Sequence, residues 1–64
     1  MHHDDHTHNL LAQLVTEQKS LWRIKEMYIK DSEGNEECQE FWSKLAADKE
    51  EHIAELTDLL KKYL

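Results

Sequence analysis

Proline is missing from this chain, glycine and cysteine occur once each, and no apolar run approaches the ~20 residues of a membrane-spanning helix. Without proline, only Gly34 punctuates the backbone, so long helices are permitted almost everywhere. A single cysteine, Cys38, excludes an intrachain disulfide and fits a reducing compartment, so a cytoplasmic setting is expected. No segment has the charge and apolar order of a secretory signal, and without a span no membrane partner is expected. Bases are outnumbered 8 to 14, and the net charge of −6 argues against nucleic acid as a partner. There is no glycine-rich phosphate loop and no serine-centred triad. The 64 residues make one small unit, and a lone hairpin of that size buries too little apolar surface to offset its chain entropy. Self-association or a tightly bound metal must supply the difference, so a homodimer or higher oligomer is expected.

What is present is periodic. Leu10, Leu14, Glu17, Leu21, Ile24 and Tyr28 follow the alternating spacing of 4 and 3 that keeps side chains on one helix face. Trp42, Leu45, Lys49, His52, Leu56, Leu59 and Tyr63 do the same. Between them, Asp31-Ser32-Glu33-Gly34-Asn35 holds the only turn chemistry, with Gly34 suited to end one helix and Asn35 to cap the next. The sequence thus predicts an all-α fold with a polar tail over residues 1–9, capped at Thr7 or Asn9. A helix over about 10–31, a turn at about 32–35 and a helix over about 36–63 follow, arranged as an antiparallel hairpin. Paired positions should sum to about 69, twice the turn position. Leu14 then meets Leu56, Glu17 meets His52, Leu21 meets Lys49, Ile24 meets Leu45, and Tyr28 meets Trp42. A second stripe, Leu11, Val15, Trp22 and Ile29, lies beside the first and is free to meet a partner chain.

A polar layer therefore crosses an oily seam at Glu17, Lys49 and His52. Burying carboxylate, ammonium and imidazole is costly unless they are paired or ligate a metal. Gln13 and Gln18 flank Glu17 and can bond to it, and Asp48, one turn from His52, is positioned to swing in as a further ligand. Glu51 and Glu55 project outward.

The run Leu45-Ala46-Ala47-Asp48-Lys49-Glu50-Glu51-His52-Ile53-Ala54-Glu55-Leu56, with Trp42 ten residues before the histidine and Glu17 35 residues before it, resembles a ferritin-like half-bundle. Rubrerythrins and the short encapsulated ferritins are of this kind. The resemblance spans residues 10–63 and implies a four-helix bundle dimer holding iron or manganese through glutamate on one helix and Glu-x-x-His on the next, with ferroxidase- or peroxidase-like oxidoreductase chemistry. Carried over by position, Glu17 matches the first glutamate and His52 the histidine. Lys49 departs from the pattern: it stands where the second glutamate belongs, and a protonated lysine donates but cannot accept. A dimer would then offer two Glu and two His, a set that also suits zinc. Two readings stay open: a metal at an intersubunit Glu17–His52 site, with Asp48 as substitute ligand, or a metal-free assembly module whose buried Glu-Lys-His layer fixes register. Gln18 and Tyr28 are candidate neighbours of that site.

The tail carries a weaker signal. His2, His3, His6 and His8, with Asp4 and Asp5, form a cluster of borderline ligands, and His3 with a free amine and two amides can wrap Cu(II) or Ni(II). The same composition reads equally as an unstructured tail or part of a purification handle. Cys38 falls in the first turn of the second helix with no histidine beside it, so it is expected to be inert.

Overall fold

The computed structural model describes residues 2–64, with side chains from Asp5 onward. The described residues are helical throughout except for one tight turn and Leu64. Helix α1 spans His2–Arg23, a π-helical turn follows at Ile24–Tyr28, and the three-residue helix α2, Ile29–Asp31, completes the first arm. Helix α3, Glu36–Tyr63, is the second arm.

The turn works as its residues require. Gly34 has φ of +90°, a left-handed conformation that only glycine adopts cheaply. Ser32 donates its hydroxyl to the Ile29 carbonyl at 2.9 Å, and the Asn35 amide donates to the Ser32 carbonyl at 2.8 Å. The Asn35 side chain then accepts from the Cys38 amide at 3.1 Å, capping α3. Glu36 and Glu37 sit in the first turn of α3 and Lys61 and Lys62 in the last, each with the sign the helix dipole favours.

Contacts between the arms descend along α3 as they climb the first arm, the order a helical hairpin requires. The His6 ring packs on Tyr63 at 5.7 Å between centroids, Glu17 meets His52, and Tyr28 packs on Trp42 at 4.7 Å. These pairs sum to 69 or 70, in line with the spacing argument. Ile24, Ala46 and Leu60 are the buried apolar residues, and Ile24 is the one large side chain wholly withdrawn from solvent. Full burial of a side chain of that size contributes roughly 1.5–3 kcal/mol. A molecule of 50 × 15 × 12 Å is one side-chain layer thick, so little more can be buried by a single chain.

Two boundaries differ from expectation. The first helix begins at His2 rather than near residue 10, so Thr7 and Asn9 lie inside it instead of capping it. Nothing in that stretch breaks a helix, Asp5 falls in the favourable first turn, and His6 gains a packing partner in Tyr63. The first arm is also not a uniform α-helix. The Ile29 amide bonds to the Ile24 carbonyl, five residues back, and this inserts one extra residue into the turn. Tyr28 and Ile29, at the end of this turn, are both half-buried.

Candidate functional site

Glu17 is the buried charged residue of the hairpin, 6% exposed. It sits on the α1 face that meets α3, one α-helical step of seven from Ile24. Three side chains satisfy it. Gln13, one turn back, donates Nε2 to Oε2 at 3.0 Å. Lys49 donates Nζ to the same oxygen at 3.3 Å. His52 Nδ1 lies 3.4 Å from Oε1 and donates when that nitrogen carries the ring hydrogen. Lys49 and His52 stand three apart on α3 and so converge on one point from the same helix face.

The two contacts across the seam are long for charge-assisted hydrogen bonds, which cluster near 2.7–2.9 Å. The layer is therefore satisfied but not tight. Its exposure is graded: the Glu17 side chain is 9% exposed, Lys49 21% and His52 59%. Burial pushes the Glu17 carboxyl pKa up, but bonds from Lys49 and His52, the Lys49 charge and the Gln13 bond together outweigh it. The carboxyl ends below its ordinary value of 4.5 and is ionised at neutral pH.

The layer opens into a shallow groove of about 460 Å³ between the arms. Leu56 and Leu59 form its apolar wall beside Gln13, Glu17, Lys49 and His52, with Glu55 at the rim. Leu59 is 41% exposed there. The polar layer and the two leucines thus share one half-open groove.

The other expected site residues are not drawn in. Asp48 is exposed and does not bond to Glu17, because one residue back from Lys49 it is turned about 100° around α3. Gln18 is exposed for the same reason, and Gln13 takes the bonding role. Tyr28 packs on Trp42 at the turn end, about 16 Å along the helix from Glu17. Lys49, expected opposite Leu21, extends its ammonium to Glu17, because its flexible stem reaches along the seam. His6 and His8 are exposed on α1, and the side chains of His2 and His3 lie outside the described residues. Cys38 is an exposed free thiol. Lys25 and Glu50 form an exposed interarm ion pair at 2.8 Å that the register did not foretell, since both chains are long and reach diagonally.

Among the described residues no three His, Cys, Asp or Glu side chains converge as a metal-binding group. One chain supplies two donors, Glu17 and His52, with the Lys49 ammonium against the carboxylate where a cation would sit. That donor set does not fit a metal within a single hairpin.

The fold and site together define a class: a helical hairpin with a self-satisfied Glu-Lys-His layer open on one side. No protein-family model matches the chain, and neither a curated protein nor a solved structure matches it. No helix among the described residues is long and apolar enough to cross a membrane.

Proposed function

We propose that this chain is a self-assembling module: an antiparallel hairpin that pairs with a second copy across the groove to form a four-helix bundle dimer. The Glu17–Lys49–His52 layer fixes register and partner choice in that bundle. The observation that carries this reading is the buried, ionised Glu17, fully bonded yet facing a groove walled by Leu56 and Leu59. Slipping a partner hairpin by one turn would set this layer, though paired within its own chain, against leucine instead of the partner's polar layer, which costs free energy because polar groups then face apolar side chains. Apolar walls supply association and the polar layer supplies selectivity, as a single buried polar position does in coiled coils. Charge is balanced without a metal, because Lys49 neutralises Glu17.

Light scattering coupled to size-exclusion chromatography tests this. The wild-type chain should elute with the mass of two chains or more, and Leu59→Lys should lower that mass. A wild-type monomer across the accessible concentration range would end the proposal.

A second reading has one observation in its favour. His52 is more than half exposed on the groove side, so two copies could bring two Glu17 and two His52 together. The ferritin-like resemblance points the same way and would make the chain a small binder of iron, manganese or zinc. In that reading Lys49 must release Glu17 before a cation can enter. Elemental analysis of wild type and His52→Ala decides: a stoichiometric metal lost in the variant supports this reading, and a metal-free dimer supports the first.

A further inference from the structure

Away from the groove, the first arm carries an apolar surface that the hairpin leaves uncovered. Leu11, Val15 and Trp22 are 43%, 46% and 61% exposed. Spacings of four and seven set them within about 40° of one another and roughly 140° around α1 from Glu17. Trp22 is the most exposed aromatic side chain of the described residues. Lys19 and Arg23 follow this stripe on its outer edge, with no acid of residues 10–23 other than the inward Glu17.

The two arms differ in charge. Residues 10–31 hold four bases against three acids, net +1, whereas residues 36–63 hold four bases against eight acids, net −4. The acidic excess begins at once on α3, where Glu37, Glu40 and Lys44 with the 56%-exposed Phe41 line a hollow of about 240 Å³. The hollow is half-open, so its aromatic edge is accessible from solvent. The chain therefore displays an aromatic knob edged by bases on one arm and, on the other, a hollow walled by Phe41 and edged by two acids and Lys44, net −1.

We infer that the Trp22 stripe of one chain docks on the Glu37–Glu40–Phe41 face of another copy of this chain, Lys19 and Arg23 facing the two glutamates. A second copy is the occupant the charges select. Two stripes packed face to face would oppose bases with bases, and two −6 chains attract only where opposite local signs meet. The stripe and the hollow are different surfaces, so the contact is heterologous and propagates to rings or open chains. It needs neither the groove pairing nor the polar layer, and it stands or falls separately from them.

Sedimentation velocity on the full chain at low and high salt tests the contact. Species larger than two chains are expected at low salt and should shrink as salt rises. Trp22→Ser, the pair Lys19→Glu with Arg23→Glu, and the pair Glu37→Lys with Glu40→Lys should each weaken these species about tenfold or more. Circular dichroism confirms that helix content is kept. Combining the two charge-reversed pairs should restore the large species. A combined variant that stays dissociated, a Trp22→Ser chain of unchanged mass, or Trp22-dependent binding to neutral lipid vesicles in place of self-association overturns the inference. Leu59→Lys serves as the comparison. If only the groove pairing is wrong, that variant is silent while the charge reversals act, and if only this contact is wrong, the pattern inverts.

Discussion

Removing either charge from the Glu17–Lys49 pair should destabilise the hairpin, and removing both should cost less than the sum. At the observed 3.3 Å the Coulomb attraction is about 1.3 kcal/mol in water and about 5 kcal/mol at an effective dielectric of 20. The site lies between those limits. Glu17 has little solvent contact, yet the molecule is only 12–15 Å across its short axes and the Lys49 side chain is 21% exposed. After desolvation, a coupling of about 1–2 kcal/mol is expected, less than the 3–5 kcal/mol of breaking a deeply buried pair. The single variants should be unequal. Glu17→Gln leaves an ammonium that can swing toward solvent on its flexible stem and should cost about 1 kcal/mol. Lys49→Met strands a carboxylate that cannot move, so it should cost about 2 kcal/mol. Urea denaturation followed by circular dichroism at one fixed chain concentration measures all four corners of the cycle, since association shifts apparent stability. Additivity within about 0.5 kcal/mol would refute the reasoning, as would a Glu17→Gln variant less stable than Lys49→Met.

Other expectations follow from the same geometry. Because the folded Glu17 pKa lies below 4.5, its stabilisation is fully present above that pH and is lost as pH falls through the lower folded value. Denaturation midpoints measured from neutral pH downward should therefore fall below pH 4.5 more steeply in wild type than in Glu17→Gln, and parallel profiles would contradict this. Gly34→Ala forces a side chain into φ +90° and should cost about 1–2 kcal/mol in the same urea assay, although no atom crowds the position. Lys49→Glu replaces the ammonium with a ligand and should create or strengthen metal binding in calorimetric titrations with Zn(II) or Mn(II), with unchanged affinity placing residue 49 outside any cation site.

The hairpin and its polar layer were legible because they rest on periodicity. Glu17 and His52 interrupt apolar stripes at positions that sum to twice the turn, and Gly34 is the one residue able to make that turn. What escaped the sequence lacked a periodic signal. Ile24 to Tyr28 is a run of ordinary helix residues, and nothing in it announces a π turn. The start of α1 was obscured because a His- and Asp-rich composition reads as a tail, while the structure continues the helix through it to meet Tyr63. Register also locates Cα positions and not the ends of long side chains. Lys49 was set opposite Leu21 yet bonds Glu17, and Lys25 reaches Glu50 across a diagonal. Gln13 rather than Gln18 supports Glu17, since a residue four back shares the face and an adjacent one does not.

In the proposed assembly, Glu17, Lys49 and His52, and not the leucines around them, decide how copies of this chain align. Replacing Glu17 and Lys49 together by leucine and weighing wild type and variant by sedimentation velocity at high salt, where the charge-edged Trp22 contact is screened, tests it directly. A more stable protein spread over several assembly sizes is the predicted result, whereas one sharp species of wild-type mass would contradict it.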